Sequence, residues 1–107
     1  MKKVVRNGKV AVIHSFDWGA GWYSWHGVEE LLYLPELVES LEKPWSDTYK
    51  TRTLPILEKV LNEHNLRTDL IPDLSITWVP VGSRFYIAEY DGVETVIKEE
   101  DMKWITA

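Results

Sequence analysis

The spacing of apolar positions changes character along the chain. Val4-Val5-Arg6 and the run from Lys9 to Phe16 read as two strands of a β-hairpin, joined by Asn7-Gly8, a pair suited to a type I′ turn. A period of two puts Val10, Val12, His14 and Phe16 on one face of the second strand, and Ala11, Ile13, Ser15 and Asp17 on the other. Both faces stay apolar for most of the run, which predicts a central strand with helices covering at least one side.

The period then lengthens. Val28, Leu31 and Leu32, followed by Leu37, Val38 and Leu41, recur at helical spacing with Pro35 between the two sets. Proline costs about 3 kcal/mol inside a helix but is tolerated in its first turn, so two helices are predicted, over about 28–33 and 35–42. Residues 43–47 read as a loop in which Ser46 or Asp47 caps the next element, and 48–53 are polar with little period. Pro55 begins a clearer helix carrying Ile56, Leu57, Val60 and Leu61 to about His64, with Asn65 as its stop.

Period two returns in residues 75–80, 84–90 and 93–97, separated by Val81-Gly82-Ser83 and Asp91-Gly92, the pattern of an antiparallel meander. Residues 99–104 read as one helical turn with acids at its positive end. The pattern predicts one α+β domain over residues 1–107, built as two layers. Its mixed, mostly antiparallel sheet joins the N-terminal hairpin to the C-terminal meander, with the middle helices on one face. A right-handed crossover through residues 27–74 would allow one parallel pair.

Composition narrows the function classes. With 45% hydrophobic and 27% charged residues the 107-residue chain is globular rather than disordered. A net charge of −5 disfavours duplex nucleic acid as a partner. The basic cluster Lys2, Lys3, Arg6 and Lys9 reads as an exposed hairpin. The lack of cysteine excludes disulfides, thiol catalysis and thiolate metal sites. Arg6 and Lys9 interrupt the first apolar run before it reaches signal-peptide length, and no apolar stretch is long enough to span a membrane; a cytoplasmic location is expected.

Candidate chemistry concentrates in residues 16–26, Phe-Asp-Trp-Gly-Ala-Gly-Trp-Tyr-Ser-Trp-His, which hold three of the six tryptophans. Gly19 and Gly21 let a loop bend tightly at the end of a strand, so that large aromatics form a ligand-facing wall. Asp17, Trp18, Gly19, Gly21, Trp22, Tyr23, Trp25 and His26 are therefore the candidate binding residues, joined by Glu89 and Asp91 from the acidic hairpin end. Stacking on a planar, nucleotide-like ligand suits the aromatics, although at least one of them is expected in the core. The turn lacks a third glycine at dinucleotide spacing and the Lys-Ser/Thr pair of a P-loop, and Asp17 would repel phosphate.

Three histidines with Asp17 suggest a metal, but His14 and Asp17 fall on opposite strand faces and no His-x-x-x-His pair exists, so neither a metal nor another cofactor is predicted. Glu89, Asp91 and Glu94 meet at one hairpin end, which reads as a solvated tip. Alternation places Glu89 with Phe85 and Ile87, where an unpaired carboxylate would be costly. No catalytic residue is assigned.

Gly19-Ala20-Gly21-Trp22 with Trp25, the stretch from Leu31-Leu32 to Glu36-Leu37-Val38-Glu39, and Trp78-Val79-Pro80 leading through Glu89-Tyr90-Asp91-Gly92 to Trp104-Ile105-Thr106-Ala107 together resemble a group of small proteins encoded mainly by bacteriophages. Leu34 stands before Pro35 where that pattern has an acidic residue, and residues 43–73 have no counterpart in it. The group carries no established activity, so the resemblance implies no catalytic residue. It implies a viral accessory protein that acts in the host cytoplasm by binding a host or defence factor.

The leading expectation is a non-enzymatic binding protein that holds a small planar ligand or a host protein at the aromatic loop. One alternative is a small hydrolase or transferase using Asp17 with His14 or His26. Another is an oligomeric structural protein paired through a strand edge.

Overall fold

The computed structural model describes residues 1–43, 49–66 and 72–107, with side chains at 49–51 excepted. The expected loop and caps at Pro44, Trp45, Ser46 and Asp47 lie outside the described residues.

Strands β1 (Val5–Arg6) and β2 (Lys9–Ser15) form the predicted hairpin, with positive φ at Asn7 and Gly8 in the turn. β2 is central: β3 (Leu74–Pro80) pairs antiparallel along its whole length, from Lys9 opposite Pro80 to Ser15 opposite Leu74. The remaining strands, β4 (Phe85–Tyr90) and β5 (Val93–Lys98), form a separate antiparallel pair. The chain is an α+β fold, but the single sheet expected from the meander is corrected to two, and every strand pair among the described residues is antiparallel. Pro80 explains part of the difference. It has no N–H for a second neighbour, and the turn at Val81-Gly82 leads the chain away from β3 rather than back along it.

The helices are α1 (Tyr23–His26), α2 (Pro35–Glu42) and α3 (Tyr49–Glu63), with 3₁₀ turns at Glu29–Leu32 and Glu99–Asp101. α2 has the predicted bounds and carries Pro35 in its first turn. The helix expected over 28–33 is a 3₁₀ turn, as is the first half of the C-terminal turn. α3 starts before Pro55 rather than at it, a correction to the predicted boundary. Its buried face, Thr53, Leu57, Val60 and Leu61, runs through the proline at helical spacing. The Thr53 hydroxyl lies 2.7 Å from that of Ser40 on α2, and Arg52 donates to the Ser40 carbonyl at 3.0 Å, so tertiary bonds hold the turn that Pro55 weakens. α3 ends where Asn65 adopts a positive φ and Leu66 N–H closes onto the Leu61 carbonyl.

β2 buries both faces. Ala11 and Ile13 join Trp22, Leu31, Leu37, Val38, Leu57 and Leu61 in the helical core. Val12 packs with Leu32, Tyr33 and Val79 in a second cluster that also receives Phe85, Ile87 and Val96 from the β4–β5 hairpin. The expected two layers thus become three, because the hairpin covers the face of the central sheet opposite α2 and α3.

Candidate functional site

The C-terminal half of β2 extends beyond β1, and the tip of the β4–β5 hairpin docks there. Phe16 N–H bonds the Asp73 carbonyl, so along β2 the alternate N–H of Ser15 points away from β3. It donates to Glu94 Oε1 at 2.8 Å, while Glu94 Oε2 accepts the N–H of Ser24 in α1 at 2.7 Å. The Ser15 hydroxyl donates to the Gly92 carbonyl. Glu94 is only 2% exposed, and its carboxylate joins β2, β5 and α1. Two charge-assisted hydrogen bonds offset the cost of burying it.

The tip also presses on the aromatic loop. Gly19 N–H donates to the Asp91 carbonyl at 2.9 Å, and a Cβ on Gly92 would lie under 3.0 Å from the Gly19 carbonyl. Only glycine fits that approach with a φ of +88°. Glu89 Oε1 accepts Gly92 N–H at 2.6 Å and closes the turn.

The candidate residues divide sharply. Trp22 is 0% exposed, donates Nε1–H to the Leu31 carbonyl at 2.8 Å and meets His26 edge-on at 5.9 Å. It belongs to the core, which corrects its place on a ligand-facing wall. Gly21 is buried, and a side chain there would run into Ser24 and the Trp25 indole. Trp18 stands 67% exposed, edge-on to Tyr90 (71% exposed) with ring centroids 5.9 Å apart, and Trp25 is 47% exposed. Tyr23 is half-buried against the second cluster. Asp17 and Asp91 are exposed, and Asp17 Oδ1 accepts the N–H of Trp18 at 2.8 Å.

The sequence pattern puts Glu94 at a solvated tip, outside the candidate site, and marks Glu89 as the costly carboxylate. Structure reverses the two: Glu89 is exposed and Glu94 is buried. The signal is present in the alternation, since Glu94 shares its strand face with Val96 just as Glu89 does with Ile87. Tyr90 is a second residue that the pattern misses, because there it reads only as part of the hairpin strand.

The histidines are dispersed. His14 Nε2 and the Thr77 hydroxyl are 2.8 Å apart, and His14 Nδ1 faces the Ser15 carbonyl at 3.2 Å. His64 lies 3.7 Å from Glu30. Burial lowers the pKa of His26, against the opposing attraction of Glu94, so its imidazole is neutral near pH 7. No cluster of three metal-ligating side chains occurs among the described residues, and none of their helices is long and apolar enough to cross a membrane.

The arrangement is thus an exposed aromatic pair, Trp18 on the loop and Tyr90 on the hairpin, beside a buried carboxylate that holds the chain at Ser15 and Ser24 on either side of the loop. Its polar groups bond one another rather than converging on an open space. No protein family, curated protein or solved structure matches the chain.

Proposed function

We propose that this chain is a non-enzymatic binding protein whose exposed pair Trp18 and Tyr90 docks onto a partner protein. One observation carries the reading: two large aromatics stand about two-thirds exposed side by side, Trp18 on the loop and Tyr90 at the end of β4, where the hairpin tip is hydrogen-bonded to that loop. Exposed Trp and Tyr are the side chains that most often dominate protein interfaces, and a braced loop loses little freedom on binding. A small planar ligand is less favoured, because Glu94, Glu89 and Asp17 already accept bonds from the chain's own N–H groups.

Asp17, Glu89 and Asp91 flank the pair, so the partner surface is apolar at its centre and basic at its rim. In the bacteriophage setting that the sequence resembles, this partner would be a host or defence protein in the host cytoplasm. The test is affinity capture from a bacterial lysate with the native chain, Trp18→Ala and Tyr90→Ala in parallel. A protein retained by the native chain and lost with both variants supports the reading. Equal capture by all three, or none, refutes it.

A further inference from the structure

A second surface lies along the outer edge of β4. In the β4–β5 ladder Glu99 N–H bonds the Arg84 carbonyl, and the register pairs Tyr86 with Ile97 and Ala88 with Thr95. Hydrogen-bonded pairs alternate along an antiparallel ladder, so Arg84, Tyr86 and Ala88 face β5, whereas the N–H and C=O groups of Phe85 and Ile87 point away from it. Among the described residues β4 pairs with no other strand.

That edge forms one wall of a groove of about 690 Å³. The groove follows the chain from Gly82 to Ile87 and includes no residue of β5. Its opposite wall carries Tyr23, Glu29, Leu32, Tyr33 and Lys3. The Lys3 ammonium sits 4.6 Å from the centre of the Tyr33 ring, and among the described residues it has no carboxylate partner.

Unpaired backbone donors and acceptors at strand spacing are complementary to another extended backbone, and side chains on alternate residues of an added strand would enter the groove. We propose that the outer edge of β4 binds an extended peptide as an added strand, with alternate apolar side chains against half-buried Tyr23, over a floor formed by buried Leu32 and Tyr33, and an acidic residue meeting Lys3. The backbone pattern selects the strand, the aromatic wall selects the apolar side chains and the lone ammonium selects the acid. Glu29 on the same wall disfavours a second acid beside it. The site is independent of Trp18 and Tyr90.

The experiment selects binders to the native chain from a random heptapeptide library and resynthesises them with one backbone N-methyl group at a time. Expected are sequences with alternate apolar residues and one acid, at least tenfold weaker binding when alternate positions are methylated, and tolerance at the intervening ones. The amide protons of Phe85 and Ile87 should gain exchange protection. Lys3→Glu should weaken the acidic peptides several-fold while shifting the melting temperature by no more than a few degrees, since Lys3 is exposed and loses only its contact with the Tyr33 ring. An empty selection, tolerance of methylation at every position, or resonance shifts confined to Trp18 and Tyr90 would each overturn the proposal.

Discussion

The carboxylate of Glu94 accepts the backbone N–H of Ser15, a residue 79 positions earlier, in the place where a neighbouring strand would offer a carbonyl. One side chain thereby ends the exposed edge of β2 and fixes the hairpin. Glu94→Ala removes this acceptor and also orphans Ser24 N–H, and leaving buried donors without partners costs about 3 kcal/mol in total. For a domain of this size the melting temperature should fall by more than about 10 °C. Glu94→Gln should fall between the two, because its amide group would face one of the same N–H donors. Thermal unfolding measured by circular dichroism checks the order native, Gln, Ala.

Acid should weaken the same region through His26. Its folded-state pKa is lowered from 6.5 by burial, so below 6.5 the unfolded chain binds the proton more readily than the folded one. Stability is therefore complete above pH 6.5 and declines as pH falls from 6.5 toward the lowered folded value. His26→Gln should remove this part of the decline. Melting temperatures measured from about pH 8 to about pH 5 for both proteins give the comparison, and parallel curves would disprove the assignment.

Local elements were legible where pattern and turn chemistry agreed. Asn7-Gly8, Pro35 and Asn65 marked boundaries that the structure keeps. Partner choice was not legible. β3 and β4 look like neighbours in a meander, yet the seven-residue match of β3 to β2 is a long-range pairing that local period cannot express. Pro55 misled for a similar reason, since its cost is offset by Ser40, thirteen residues before Thr53 in the chain. At the site, the aromatic window was found from composition alone. Sorting buried Trp22 from exposed Trp18 required knowing where the hairpin tip lands.

The contact between hairpin and loop backbones gives a steric prediction. Gly82 and Gly92 have similar φ values, +84° and +88°, but a Cβ on Gly82 meets nothing within 4 Å, whereas one on Gly92 runs into the Gly19 backbone. Gly82→Ala therefore carries only the left-handed cost, about 1–2 kcal/mol. Gly92→Ala adds a clash with an atom that cannot rotate away, and should destabilise by clearly more. Urea denaturation of the two variants isolates the contact, and equal losses would show that the tip does not press on the loop.

The two loop tryptophans provide the sharpest separation of fold from function. Trp22 has no exposed surface and its indole N–H is spent on Leu31, so Trp22→Ala should cost about 3–5 kcal/mol through the cavity and the orphaned carbonyl. Trp18 touches Tyr90 from the solvent side, and an exposed aromatic pair contributes about 1 kcal/mol at most. Trp18→Ala should leave the melting temperature within a few degrees of native and also release Tyr90 from its edge-on partner. The decisive comparison is tryptophan emission: removal of Trp22 should lower the blue-shifted, buried component, leaving that of partly buried Trp78, and removal of Trp18 should lower the red-shifted one, leaving that of exposed Trp25 and Trp104. Were Trp18→Ala to unfold the protein, the exposed pair would be a structural element and the docking patch would lose its support. A stable Trp18→Ala that no longer captures a partner would assign binding to the exposed pair.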